Sequence, residues 1–525
     1  MATVGNPVRL KVSKSTLSMF LRTKCDKELF LSLHDKAAMA AAGLPEPIKR
    51  PGIGVLAVEG KEFEVDRNDQ LVRMFDGIVS YSKSATQYGN VDLQASLTAL
   101  TLVPHFILQG HFSIVAQQST VLSTIGVDAA DIPLVPPIAD FVPDIYYIRN
   151  AQAGDQEVLP DGTRGAIDEL FEARKAICVL DVKHTAEANP SYCSEIAMYA
   201  VMLANWLRAR PQLASRFFVS LDARLWTRHN QVDSELDKLE RCGGASHQRL
   251  VDALMADSED AQLRFYLPTI RSFYSEVARV VRVGQAPGQG WQALDWHISG
   301  SCSACDWLGD KRHMGPAHRG VVDCNPAHYC MPLAESTGHL CLVPGITRGA
   351  KKVLRQNTVA DTTALAGAVG HPALQLHTLL KKEAKAFPAR SAAINSGTLS
   401  HDADGVIASL VKSANILLYA SVNFDSSSGL LTGLAISGVA TTFSAGVAPR
   451  RFSPVPYIVD SKSLNAEWVA LEGFLTQIAN WIDTVEQMVS GQVTGQIHFW
   501  EQRQFQELCN AMGRHLPRVL AFSMR

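Results

Sequence analysis

What the chain lacks narrows the reading first. The segment Met1–Ser15 contains no apolar run, so no secretory leader is read there and a cytoplasmic location is expected. One uncharged window, Gly429 to Ala448, is long enough to cross a bilayer. Gly, Ser and Thr interrupt it and no Lys or Arg cluster flanks it, so it reads as two strands and a turn, and no membrane contact is expected. The P-loop spacing G-x-x-x-x-G-K-[ST] is absent throughout, which excludes ATP hydrolysis by that route. Cysteine is sparse, ten in 525 residues, too few for a disulfide scaffold. No sign of charge dominates: 49 Lys and Arg against 51 Asp and Glu rule out a histone-like polycation but leave room for a local basic strip. No long repeat and no low-complexity tract is present.

What remains is a globular composition, 47% hydrophobic and 19% charged, with length for two to four domains at roughly 100–200 residues each. An apolar stripe over about Ser15 to Leu33 predicts a helix capped by Ser15. The stretch Gly60 to Phe75 predicts a helix in its second half. Phe141–Ile148 and Ile177–His184 are rich in β-branched and aromatic residues and predict strands, joined through a Pro-Asp-Gly turn. Ser194 to Arg208 predicts a strong helix, with helical material continuing to about Val283. From Leu342 the pattern reads turn, helix, turn, helix; beyond Ser396–Gly405 it turns to strands, then a helix opened by Ser463 and Glu467, a short strand and a last helix.

Asp181-Val182-Lys183 closes the apolar strand, and residues two apart on a strand share a face, so a carboxylate and an ammonium emerge together. A hairpin could bring Asp144 beside them; two carboxylates on rigid strands suit Mg²⁺ or Mn²⁺. A neighbouring lysine can orient or deprotonate water, or stabilise charge on a phosphate. Glu195 and Tyr199, four apart, share one face of the following helix. Alone, a D-x-K tripeptide more often marks a surface ion pair.

The order Cys25, Gly60-x-x-Phe63-Glu64, Pro143-Asp144, Asp181-x-Lys183, Glu195-x-x-x-Tyr199, Cys302-x-x-Cys305 resembles the RecB-like branch of the PD-(D/E)xK nucleases, over about residues 13 to 335. It is similar in particular to the iron–sulfur members found in helicase–nucleases and CRISPR-associated nucleases. The resemblance implies a metal-dependent deoxyribonuclease. Asp144 and Asp181 would hold Mg²⁺ or Mn²⁺, with the Val182 carbonyl as a further ligand; Lys183 would be the catalytic lysine, with Glu64, Glu195 and Tyr199 around it. Two departures stand out: Glu195 where the family has Gln, and Phe63 where it often has His. His105 and His111 are candidate spatial substitutes.

Cys302-x2-Cys305-x18-Cys324-x5-Cys330 has, on spacing alone, the look of a zinc site. The resemblance instead implies a [4Fe–4S] cluster held by Cys25, Cys302, Cys305 and Cys330, with Cys324 in reserve, closing a loop of nearly 280 residues. Cys178, Cys193, Cys242 and Cys509 read as buried small hydrophobes. Further on, Pro344-Gly345-Ile346 followed by a basic helix resembles a helix–hairpin–helix turn, in which Gly345, Arg348, Lys351, Lys352 and Arg355 would meet DNA phosphates. Between Gly345 and Arg390, eight Lys and Arg face two Asp and Glu. The last segment resembles an RNase H-like domain, expected to be non-catalytic because Asn423-Phe424-Asp425 offers only one carboxylate.

The expected fold class is therefore α/β: a nuclease core (1–335) with a central mixed sheet flanked by helices, a helical region (336–400), and a C-terminal α/β domain (401–525). The expected partners are DNA and a helicase, supplied by another polypeptide or a continuation of this one. The rival readings are a DNA-binding scaffold with a degenerate nuclease core and a zinc-stabilised interaction protein.

Overall fold

The computed structural model of the chain describes residues 12–49, 53–167, 173–185, 188–228, 234–286, 290–311, 314, 316–398, 414–425, 429–440, 449–489 and 493–523. It divides into two compact units, Met1–Thr227 with Asp233–Ser400, and Arg228–Val232 with His401–Arg525. Both are α/β.

The first unit opens with α1 (Lys14–Thr23) and α2 (Asp26–Ser32), not one helix. Ser13, not Ser15, caps α1, in a reciprocal pair with Thr16. Lys24 then takes a left-handed conformation (φ 50°) and its N–H bonds the Phe20 carbonyl, which ends α1. Cys25 consequently lies at the break, extended, as the N-cap position of α2 and outside either helix. The long helix α3 (Ile53–Met74) begins earlier than its pattern suggested.

A seven-stranded mixed sheet follows, from β1 (Val79–Ser80), β2 (His105–Leu108), β3 (Ile145–Asn150) and β4 (Lys175–Lys183). Past the helix α4 (Pro190–Arg208), β5 (Phe217–Val219), β6 (Arg224–Thr227) and β7 (Glu259–Asp260) complete it. Strand β4 is the centre. It pairs antiparallel with β3 and parallel with β5 along its first half and β6 along its second. The expected helical run to Val283 is thus interrupted by strands before α5 (Leu267–Gly284) closes it. Between β3 and β4, the hairpin Gln156–Val158 with Arg164–Ala166 turns at Pro160-Asp161-Gly162, where Gly162 has φ 80°.

Alternation along β4 builds two cores. Ile177 and Val179 pack with α4 and α5, while Ala176, Cys178, Leu180 and Val182 pack on the opposite face with Phe63 and Leu71 of α3 and with Phe75 just after it. Each face buries an apolar layer, as a central strand covered on both sides requires. The α4 side also carries Asp181 and Lys183, at the strand's C-terminal end. Residues 340–387 contribute a small core of their own, built on Leu340, Leu354, Leu374 and Phe387, within the same unit.

The second unit has four strands, β8 (Ile416–Phe424), β9 (Leu431–Ala440), β10 (Arg450–Ile458) and β11 (Gly495–Phe499), in the order β10-β9-β8-β11. β8 to β10 are antiparallel; β11 joins β8 in parallel after the helix α6 (Leu464–Glu486). A last pair of helices, α7 (Gln502–Arg514) and α8 (Leu516–Ser523), follows. The sequence pattern had omitted β10. Its prolines, Pro454 and Pro456, cannot donate to a ladder, and the strand sits at the sheet edge where that is tolerated. In the window Gly429–Ala448 the described part is one strand, β9; residues 441–448 lie outside the described residues. Among the described residues no helix is long and apolar enough to cross a membrane.

Candidate active site

Strands β3 and β4 pair with Leu180 opposite Ile145, so Asp144, one residue before β3, stands beside Asp181. Its Oδ2 accepts a hydrogen bond from the Val182 N–H at 2.8 Å, which locks the carboxyl across the ladder. Both carboxyls are buried; Asp181 is 0% exposed. Lys183 Nζ lies against Asp181 Oδ2 and 3.7 Å from Glu195 Oε2. Helix α4 supplies Glu195 and, one turn on, Tyr199, whose hydroxyl donates to the Val142 carbonyl at 3.2 Å. Helix α3 supplies Glu64, which accepts from Gln109 Nε2 at 2.6 Å; Gln109 is itself held by its N–H to the Asp144 carbonyl. Asp144, Asp181, Lys183, Glu64, Glu195 and Tyr199, spread over 136 residues of sequence, are thus brought into one buried electrostatic group.

A second ammonium joins the group. Lys14, the first residue of α1, places Nζ 3.7 Å from Asp181 Oδ1 and 4.7 Å from the centre of the Tyr199 ring. Helix α1 packs along α4, and Ser18, one turn beyond Lys14, hydrogen-bonds Glu195. One signal in the sequence could have exposed it: a cation in the first turn opposes the helix dipole, so some other negative group must hold it there.

The charges are unequal. Four acidic side chains face two ammoniums. Asp181 is fully buried among them, hydrogen-bonded to Lys183 and Asp144, with Lys14 in ionic contact with Oδ1. The protonation states follow from this crowding. Burial, reinforced by Asp181, pushes Asp144 up to about 8, so it holds a proton at neutral pH. Burial acts on Asp181 too, but Lys183 and Lys14 overcome it and hold Asp181 below the ordinary carboxylate range. Burial raises Glu64 and Glu195 above the glutamate range. Burial opposes the charge on both lysines, yet Asp181 and Asp144 more than offset it, and both stay ammoniums. Lys183 in this state donates hydrogen bonds and stabilises anions; it does not deprotonate water.

Among the described residues, no three His, Cys, Asp or Glu side chains stand in ligand positions around a common point. The donor chemistry nevertheless fits a hard divalent ion: all-oxygen ligands, more acids than ammoniums, and a fully buried Asp181 whose Oδ1 has only the Lys14 ammonium, at 3.7 Å, beside it. His105 and His111 are engaged elsewhere, with Ser80 at 2.8 Å and Asp140 at 3.7 Å. Phe63 packs its ring on His184, the residue after Lys183, at 5.2 Å between centroids.

Cys25, Cys302, Cys305 and Cys330 come near one another at a second locus, although no three of them stand in ligand positions. Cys25 is buried and feels the Cys330 thiol; Cys305 feels both; Cys330 feels Cys302 and Cys341. Backbone contacts clip the two distant segments together: Ile48 N–H to the Asp306 carbonyl, Trp307 Nε1 to that of Pro45, and Lys27 Nζ to that of His328. Lys27, 2% exposed, also donates to the Cys330 sulfur. Cys341, clustered with the others in the sequence but not among the expected ligands, lies close to Cys302, whereas Cys324 is exposed. Cys178 and Cys193 are buried as expected, but Cys242 and Cys509 are exposed on the outer sides of their helices and are no part of a core.

The turn before the basic helix Arg348–Gln356 forms as expected, with Gly345 at φ 90° and Thr347 capping the helix. One of its residues is a correction. Lys351 is 2% exposed, bonded to Asp295 at 2.5 Å and to the Trp296 carbonyl at 2.7 Å, so its ammonium fastens this helix to residues 295–296 and is not presented to solvent. Arg348 is half-buried, 3.8 Å from Asp295; Lys352 and Arg355 are exposed. No known protein family, no curated protein and no solved structure matches this chain.

Proposed function

We infer that the first unit is a divalent-metal-dependent nuclease acting on DNA. One observation carries this reading. Asp144, just before one strand, and Asp181, on its neighbour, stand paired beside Lys183 and two glutamates, and the acids of the group outnumber its ammoniums even with a proton on Asp144. Asp144, Asp181 and the Val182 carbonyl would hold Mg²⁺ or Mn²⁺. The bound ion would activate water and polarise the scissile phosphate. Lys183, as an ammonium, would neutralise charge that develops on the phosphate; Glu64 and Glu195, with carboxyl pKa values raised by burial, would hold or pass the proton. Tyr199 fixes α4 to the segment that leads into Asp144. The mixed sheet flanked by helices is compatible with a PD-(D/E)xK core, and the order β10-β9-β8-β11 with an RNase H-like second unit that lacks a second acid at Asn423.

The cysteine group would carry a structural [4Fe–4S] cluster on Cys25, Cys302, Cys305 and Cys330, clipping the start of the chain to residues 302–330; zinc is the alternative occupant. A helicase partner is part of this reading.

A second reading, a DNA-binding protein whose core no longer cleaves, draws on one observation: Lys14 and Lys183 already pair with Asp181. The test is cleavage of single-stranded DNA with Mg²⁺, with EDTA, and by Asp181→Ala, beside a gel shift of the same oligonucleotide. Cleavage lost in EDTA and in the variant supports the nuclease. Binding without cleavage supports the second reading, and cleavage by Asp181→Ala at the wild-type rate removes this site from consideration. Iron or zinc content after anaerobic purification decides the cluster.

A further inference from the structure

We propose that Lys14 is the exchange partner of the divalent ion: its ammonium holds the free edge of Asp181 when no metal is bound, yields that edge to the ion, and thereby sets how tightly the ion binds. The inference rests on the metal-dependent reading above.

Geometry assigns the two lysines different parts. Lys183 is fixed. It stands two residues from Asp181 on the central strand, against Oδ2, with Glu195 as a second partner. Lys14 comes from another element and touches the other oxygen, Oδ1, at a looser 3.7 Å. Its side chain is 30% exposed against 18% for Lys183, so an outward path is open to it. Its ammonium already lies 4.7 Å from the centre of the Tyr199 ring, a cation–π partner that does not depend on Asp181. The attachment of α1 to α4 through Ser18 and Glu195 keeps Lys14 within reach while only its side chain moves.

Asp181 Oδ1 is buried and has no directed donor. A divalent ion taking it would meet Lys14 as a like charge at close range, an interaction of several kcal/mol at the effective dielectric of such sites, about 20. The lysine therefore both protects the site when empty and weakens its affinity for the ion. A merely structural lysine would do the opposite: its loss would loosen the site and lower affinity.

The experiment is a titration of the full chain with Mn²⁺ at fixed pH, read from the decline of the free-ion electron paramagnetic resonance signal, without substrate. Lys14→Met is expected to bind Mn²⁺ at least about tenfold tighter than the natural chain. Lys14→Arg, which keeps the charge, should stay within about threefold, and Asp181→Asn should bind weakest. Wild-type or weaker affinity in Lys14→Met overturns the proposal even if the natural chain binds Mn²⁺ and Asp181→Asn does not, which leaves the nuclease reading standing. No Mn²⁺ binding by the natural chain removes both. Should Lys14→Met fold poorly, its thermal unfolding with and without Mn²⁺ still decides: a larger Mn²⁺-induced rise than in the natural chain supports exchange, an equal or smaller one refutes it.

Discussion

Asp144→Asn probes the crowded carboxylates through stability alone, with no activity required. Asp144 keeps its proton in the folded chain up to about pH 8, because burial and the Asp181 charge disfavour ionisation; in the unfolded chain it ionises near the ordinary 3.8. Between those values the folded state binds one more proton than the unfolded state. The stability this confers is full below about pH 4, declines as pH rises, and is exhausted above about pH 8. One group contributes a slope of about 1.4 kcal/mol per pH unit across that window. Glu64 and Glu195 are also raised, so they steepen the natural chain in the same direction. Asparagine keeps an acceptor for the Val182 N–H and carries no proton to lose. Urea denaturation in EDTA at pH 5, 6 and 7, followed at the unit containing Trp206, should show the variant flatter than the natural chain by about 1.4 kcal/mol per unit. Equal slopes in the two proteins would refute the assignment of the proton to Asp144.

Four other measurements address separate parts of the molecule. Gly284→Ala adds a Cβ that would sit 2.4 Å from the Phe30 ring, where α5 crosses α2; overpacking there should cost about 1–3 kcal/mol in chemical denaturation, and a neutral effect would show that Phe30 can retreat. In the second unit Glu467 is 0% exposed and accepts from the Leu431 N–H, Arg514 and His515; Arg514→Met leaves that carboxylate underpaired and should destabilise the unit by about 3–5 kcal/mol. Burial opposes ionisation of Glu467, but Arg514 overcomes it and lowers its pKa, so the stability it gives the second unit is present at neutral pH and lost as pH falls below the ordinary 4.5, read as an acid-side drop in melting temperature that Glu467→Gln removes. In metal-free protein at pH 8, Cys242, Cys324 and Cys509 should react first with a thiol reagent, while Cys25 and Cys330, raised by burial to about 12 and about 11, resist until unfolding; rapid modification of Cys25 would contradict its burial.

The sequence exposes those parts of the site whose geometry is local. Nine residues, Lys175 to Lys183, alternate between two apolar layers, and that period alone puts Asp181 and Lys183 on one face. The i, i+4 spacing likewise puts Glu195 and Tyr199 together on α4. Elements of three or four residues are hidden: Phe217–Val219 and Arg224–Thr227 lie between helices, and they are strands because β4 offers unpaired edges to both of their short segments. Long-range pairing is hidden as well. Lys351 reads as one of the phosphate-facing charges of a basic helix until Asp295, 56 residues earlier, is seen to hold it. Lys24 gives no hint of a left-handed turn, since lysine has no preference for one; tertiary packing of the two short helices imposes it.

Charge accounting unites these observations. A buried carboxylate persists as an anion only where opposite charge or directed donors meet it, and this group has too few of both. Two lysines from elements 169 residues apart supply half of what is needed, and a proton on Asp144 supplies more. Such an arrangement has no stabilising purpose that apolar packing at the end of β4 would not serve better, because replacing buried ion groups by well-packed hydrophobic residues is often neutral or favourable. On the proposed reading it would provide a set of oxygens that exchange an ammonium and a proton for one divalent ion without building new structure. The same group is the reason the site is proposed to act on phosphates: a bound divalent ion and the neighbouring Lys183 ammonium would each meet a phosphate oxygen with local positive charge.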